Sequence, residues 1–385
     1  MILLHEPTLK GNEKKYLSEC INTNWISTSG KFINLFEKEI CKYTKSKHVV
    51  LVNSGTSALH ISLLLSNIKP GDEVIVPTVS FIAPINAVNY CKASPIFIDV
   101  DDYLNIDIKK VISFLKNETI TKNNLTYNKK TKKKISAIIV VHVFGNLVNL
   151  KPLINICKKK KIDLIEDAAE SFGSYYKNSQ KIKHAGTIGK FGCLSFNGNK
   201  IITCGGGGAI LTQSKVLADK ARYLVTQAKN DPVNFVHDNV GYNYKMTNLH
   251  AAVGIAQIKN IKKILLNKKK IFNFYFKEIS KINGVSMILN PKYCNSNNWI
   301  NLIRIDKEKY KKNVKQLIKI FTIYGIQVRP VWFLNHLQKP YKHYQRYNII
   351  KAKKLLDSVL CVPSSASLKK NQIKKITNLL RNKNI

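Results

Sequence analysis

The 385-residue chain predicts an α/β protein built on a mixed, mostly parallel sheet of seven strands, followed by a smaller α+β unit. Three observations predict it. Short β-rich apolar runs alternate with helical stretches from about residue 48 to 212, the rhythm of βαβ units. Several of these runs end in small or acidic residues, and the carboxyl ends of strands are where open α/β sheets bind ligands. Beyond about residue 250 the pattern changes to Lys-rich amphipathic helices and shorter strands. The expected division is 1–250 for the large domain and 251–385 for the small one, bridged by a helix over 250–270.

Taken in order, the strands of the large domain read 48–52, 73–76, 95–100, 136–142, 162–166 and 191–196, with 209–212 as the seventh. Pro70-Gly71-Asp72 signals the turn before the second strand, and 58–65 and 83–90 read as intervening helices. The polar stretch 117–134, ending in a run of lysines, reads as an exposed surface loop. In the small domain, strands are expected over 299–305 and 327–332. No internal repeat is evident.

Composition narrows the function classes. The net charge of +40 invites a polyanion partner. The positive charge is nearly all Lys, however, with Arg only at 222, 304, 329, 346 and 381, and Asn and Ile are abundant too. Lys, Asn and Ile share A/T-rich codons, so codon bias accounts for the skew without a nucleic-acid partner. The eight Cys form no C-x-x-C pair and the nine His no metal-binding spacing, which points to reduced thiols and no metal centre. No apolar run approaches the roughly 18 residues of a membrane span, and the N-terminus turns polar too soon for a signal peptide. The expectation is a cytoplasmic protein with neither nucleic acid nor membrane as partner.

Three elements carry chemistry. In Val52-Asn-Ser-Gly-Thr-Ser-Ala-Leu59 a strand end runs through a small-residue turn into a helix, whose free backbone N–H groups and positive dipole end can seat a phosphate. Ser and Thr also cap ordinary helices, so this element alone is weak. In Leu164-Ile-Glu-Asp-Ala-Ala-Glu170 a buried strand delivers acidic residues at its carboxyl end. Asp167 there can hold a protonated ring nitrogen, although an N-cap role gives the same pattern, as a capping box does for Glu170. In Ser195-Phe-Asn-Gly-Asn-Lys200, followed by Gly205 to Gly208, a lysine sits on a tight turn beyond a strand end, suited to imine chemistry with a carbonyl cofactor. Together these elements offer a phosphate seat, a pyridinium acceptor and a reactive amine.

At this point Asn53–Leu59, Glu166–Glu170, Ser195–Lys200 and Gly241-Tyr-Asn-Tyr-Lys245 resemble the DegT/DnrJ-type sugar aminotransferases. The resemblance runs from Trp25-Ile-Ser-Thr-Ser-Gly30 to Arg329-Pro-Val-Trp332 and His336. Val141–Gly145, Ser195–Gly208 and Phe235–Asp238 are similar to the branch acting in legionaminic acid synthesis, which aminates a UDP- or GDP-linked 2-acetamido-2,6-dideoxy-4-keto-hexose. The resemblance implies a fold-type I, pyridoxal-5′-phosphate (PLP) dependent aminotransferase, passing through the pyridoxamine form with L-glutamate as donor. It also implies a homodimer with active sites shared between subunits.

Carried onto this chain, Lys200 holds the cofactor and shuttles the proton, and Asp167 faces the pyridine nitrogen. Gly55, Thr56, Ser57 and Ser195 seat the phosphate, joined by Asn243 of the partner subunit. Phe81 stacks on the ring. Glu170 makes a polar contact near the ring, where many relatives carry Gln or His. Lys245 stands where Arg is commoner. Arg329 and His336 meet the sugar or diphosphate, and Trp25, Ser27 and Thr28 line the entrance. Alternatives are an aminotransferase for a perosamine-type or 3-keto sugar, and a PLP-dependent sugar dehydratase. The dehydratase commonly replaces the lysine by His, so Lys200 argues against it.

Overall fold

The computed structural model describes residues 1–177, 182–231 and 233–382. Seven strands form the body of the large sheet: β1 His48–Val52, β2 Glu73–Pro77, β3 Ser94–Ile98, β4 Ile135–Val141, β5 Asp163–Asp167, β6 Phe191–Ser195 and β7 Gly208–Thr212. Their order is β1-β7-β6-β5-β4-β2-β3, and Arg346–Tyr347 adds an eighth, two-residue strand beside β3. The strands pair in parallel except β7, which runs antiparallel to both neighbours. Every residue of β2, β4 and β7 is buried. Strands covered on both faces read as continuous Val/Ile runs, which is why the sequence shows them so plainly.

The reversal of β7 positions the site. Gly208 opens β7 opposite both Val52, the end of β1, and Ser195, the end of β6. A Cβ at residue 208 would lie 2.6 Å from the Ser54 carbonyl carbon and 2.6 Å from the Leu194 carbonyl oxygen. Glycine is what lets the two strand ends close on each other there. The preceding Gly207 has φ 123°, a left-handed conformation that a side chain resists.

The polar stretch 117–134 is not an open loop. Thr119–Lys122 and Leu125–Asn128 form a hairpin, and its turn residues Asn123 and Asn124 both take positive φ, 49° and 58°. That is the pattern of a primed turn matched to strand twist. Asn128 is buried and donates to Glu73 Oε2 at 2.8 Å. The exposed lysines of this stretch conceal a T-I-T-K…L-T-Y-N alternation.

A second hydrophobic cluster packs against a four-stranded sheet of Val285–Met287, Asn301–Ile305, Val359–Val362 and Arg329–Pro330, in that antiparallel order. The helix expected over 250–270 is two helices, Asn248–Lys259 and Ile261–Ile279, meeting at Asn260. The first buries Ala251, Ala252 and Ile255 in the large cluster. Ile261 and Ile264 follow them, whereas Ile271, Tyr275 and Ile279 pack in the second cluster. We propose that the two units meet within this second helix, some residues beyond 250. The chain's start also crosses over: Ile2 packs in the second cluster and pairs with Ile326. Among the described residues no helix is long and apolar enough to cross a membrane.

Candidate active site

Strand β5 carries two consecutive acids, and the pleat sends them to opposite faces. Glu166 becomes structural. Its carboxylate accepts from the backbone N–H groups of Gly186, Ile188 and Gly189 at 3.0, 2.7 and 2.6 Å, and from buried His142 Nε2 at 2.9 Å. His142 Nδ1 accepts from Val148 N–H at 3.1 Å, so Nε2 carries the proton. Asp167 goes to the other face and lines a cavity of about 420 Å³. Only 4% of Asp167 is exposed. Burial pushes its carboxyl above the usual range, opposed by the Ala169 N–H, Lys200 and His142. A buried acid of this kind gains most from a cationic partner.

Lys200 lines the same cavity, on the turn that follows β6. Its Nζ lies 3.9 Å from Glu170 Oε1 and 4.4 Å from the ring centroid of Trp299. Glu170 Oε2 accepts from Phe144 N–H at 2.8 Å. Burial pushes the Glu170 carboxyl up to about 7, against the pull of Lys200 and the Phe144 N–H. Ionised Glu170 therefore opposes folding above its ordinary pKa, and its contribution to stability is lost as pH rises from about 4.5 through 7. Glu170→Gln keeps an acceptor for Phe144 and removes the ionisation. In cofactor-free protein it should melt with the parent near pH 4.5 and be more stable at pH 8, by a few kcal/mol at most. Equal melting at both pH values would reject this assignment.

The expected phosphate seat is the N-terminus of the helix Gly55–Leu65. Ser54 caps it, its hydroxyl accepting from Ser57 N–H at 3.0 Å, and Ser57 Oγ donates to Asn53 Oδ1 at 2.6 Å. Ser54, Gly55 and Thr56 line the cavity beside Ser195. A Cβ on Gly55 would lie 2.9 Å from Ser195 Cβ, so glycine brings helix and strand end together. Ser57 is buried and bonded within the cap; it shapes the turn and is not on the cavity wall. Phe81 stands on the wall with 56% of its surface exposed, an unusually open aromatic whose face is available to a flat ring.

Two wall residues escape sequence reasoning. Trp299 and Trp332, both from the last third of the chain, line the cavity, and Trp332 stacks on Phe144 at 4.5 Å and 7°. The available signal is scarcity: the chain has three tryptophans, and two of them line this cavity.

Other expected contacts lie elsewhere in this chain. Trp25, Thr28 and Lys245 line a separate depression of about 630 Å³, held by Asn248, whose Nδ2 donates to the Trp25 carbonyl at 2.7 Å and whose backbone N–H donates to the Ser27 carbonyl. Asn243 is exposed, and its backbone carbonyl accepts from Asn53 Nδ2 at 3.4 Å. Arg329 is exposed on the small sheet and off the cavity wall. His336 is a correction. It is buried, its Nδ1 lies 2.5 Å from Thr78 Oγ1, and burial drops it to about 4. A neutral imidazole in the core braces the loop after β2 and offers no charge to a diphosphate.

The donor set fits PLP: an anion seat at a helix N-terminus, a buried acid for the pyridinium, an amine, and an open aromatic face, all lining one cavity. The model of the DegT/DnrJ/EryC1/StrS aminotransferase family matches residues 7–381. The chain belongs to this family. A GDP-perosamine synthase of Vibrio cholerae is 32% identical over 386 residues, covering 99% of each chain. One from Caulobacter vibrioides is 34% identical over 341 residues, covering 88% of this chain and 86% of the relative. Among solved structures, the aminotransferase TlmJ of Streptoalloteichus hindustanus superimposes with a TM-score of 0.88 at 23% identity, covering 100% of this chain and 98% of that one. The family assignment makes the chain a PLP-dependent sugar aminotransferase of fold type I.

Proposed function

We propose that the chain transfers the amino group of L-glutamate to the 4-keto group of a GDP-linked 6-deoxyhexose, giving a perosamine-type product. The convergence of Lys200, Asp167 and the Ser54–Thr56 turn on one cavity supports aminotransfer, and the names of the curated relatives support the GDP carrier. Bound here, PLP supplies a reactive carbonyl and an electron sink. Lys200 Nζ binds it and, once displaced, moves the proton between the two reacting carbons as general acid and base. Asp167 keeps a proton on the ring nitrogen. The backbone N–H groups at Gly55 and Thr56 with the Ser195 hydroxyl hold the phosphate, and Phe81 covers one ring face.

We propose a homodimer for the shared part of the site. The segment before Asn243 exposes Val233, Phe235 and Val240 at 79, 67 and 77%, an apolar surface that a second copy would cover. Asn243 of the partner subunit then reaches the phosphate, and Trp25, Ser27, Thr28, Lys245 and Arg329 meet substrate only in the assembled pair. A second reading, a UDP- or GDP-linked 2-acetamido-2,6-dideoxy-4-keto-hexose, is supported by the motifs Val141–Gly145 and Ser195–Gly208. Purified protein given glutamate and a panel of GDP- and UDP-linked 4-keto sugars, read by mass spectrometry, decides between them. Amine formed on the GDP-linked 6-deoxy sugar is the expected result. Preference for the acetamido sugars selects the second reading, and no amine from any keto-sugar defeats both.

A further inference from the structure

We infer that Trp299 is a positioning residue for the Lys200 amine, a braced platform that keeps Nζ at the reacting atoms whenever the lysine is not bound to the cofactor. The inference rests on the role of Lys200 proposed above. The amine lies 4.4 Å from the Trp299 ring centroid, inside the range of about 6 Å in which a cation is attracted to a ring face. Its acid neighbour Glu170 presents Oε1 at 3.9 Å, beyond hydrogen-bond distance, while its Oε2 takes the Phe144 N–H. The ring face therefore supplies the close surface on which the free amine rests, with the Glu170 charge beside it.

Trp299 is fixed at three points, one on the ring and two on its backbone. Its indole N–H donates to the carbonyl of Asn199 at 2.6 Å, which ties it to the turn carrying Lys200. Its backbone N–H donates to Asn297 Oδ1 at 2.9 Å, and the Asn297 amide in turn donates to the carbonyls of Glu170 and Phe172, both at 2.9 Å. Its carbonyl accepts from Lys268 Nζ at 2.6 Å. Lys268 is 1% exposed and also donates to the Ser364 carbonyl. Burial pulls the Lys268 amine well below its ordinary range, and a buried amine held by carbonyls is costly. Its use is to lock the chain on which the platform stands. A lysine has four flexible carbons; a fixed ring narrows the volume its amine must search after each release.

The test compares Trp299→Leu, Trp299→Phe and Lys200→Ala in the purified enzyme. Trp299→Leu should lower kcat on the order of tenfold while KM for both substrates stays within about twofold, and Trp299→Phe, which keeps a ring face, should recover most of the loss. A second readout uses cofactor-free protein, in which acetic anhydride labels lysines and peptide mass spectrometry follows Lys200. Relative to other lysines, Lys200 should be labelled several-fold faster in Trp299→Leu, because the ring no longer covers and holds the amine, and at the parental rate in Trp299→Phe. If Trp299→Leu fails to fold, Trp299→Phe and Lys268→Met carry the test. Lys268→Met, which loosens the brace, should lower kcat about threefold with KM unchanged. Unchanged kcat and labelling in Trp299→Leu, or in Lys268→Met where the former does not fold, overturn the platform. So does a Trp299→Phe protein as impaired as Trp299→Leu. Turnover persisting in Lys200→Ala overturns instead the role of Lys200 itself.

Discussion

Lys200→Arg should fold and fail to turn over. The guanidinium preserves a positive charge beside Glu170, 3.9 Å away in the parent, and still meets the Trp299 face, so the cavity keeps its electrostatic balance. Melting should stay within about 1–2 °C of the parent, the shift expected from roughly 1 kcal/mol in a chain of this size. Catalysis has no such substitute, because arginine stays protonated at any accessible pH and can neither bind a carbonyl nor take up a proton. Loss of general acid–base assistance alone costs about 10²–10⁴ in rate, and loss of the covalent hold on the cofactor adds to it. Steady-state turnover with glutamate as donor, together with the visible absorbance of bound cofactor, measures both losses. Turnover within about tenfold of the parent would mean that another amine does the work.

The site is more legible in the sequence than its walls are. Val52, Asp167 and Ser195 end buried strands, and buried strands leave apolar runs whose ends can be read to within a residue or two. Gly205 to Gly208 mark the return of the chain between β1 and β6, where a side chain at residue 208 would strike backbone on both sides. Trp299 and Trp332 are a different matter. They stand far beyond Lys200 in sequence, one just ahead of the strand Asn301–Ile305 and the other just past Arg329–Pro330, so nothing local connects them to the cavity; only long-range packing does. His336 shows the converse error, since a histidine near an arginine in sequence looks the same whether it faces a diphosphate or Thr78. Arg346–Tyr347 is too short to show any period. Asn123-Asn124 was readable as a primed turn, but the lysines on either side masked it.

Asp167→Asn should separate stability from activity with opposite signs. In the cofactor-free protein the carboxyl is buried and its pKa raised. A raised acid stabilises the fold fully below its unfolded pKa and loses that contribution as pH rises, so at neutral pH the charged form works against folding. Asparagine keeps the acceptor that Ala169 N–H uses at 3.1 Å and carries no charge. Cofactor-free Asp167→Asn should therefore melt above the parent at pH 7 to 8, with the difference shrinking toward pH 4. With PLP the order reverses, because the amide cannot hold the pyridinium proton as a carboxylate does. Removing one member of a buried charge pair costs about 3–5 kcal/mol, or about two to four powers of ten in turnover. Calorimetry with and without cofactor and the rate of the glutamate half-reaction supply the three numbers. An Asp167→Asn protein as active as the parent would place the ring nitrogen elsewhere in the cavity, while one less stable than the parent without cofactor would show that the carboxylate serves the fold first.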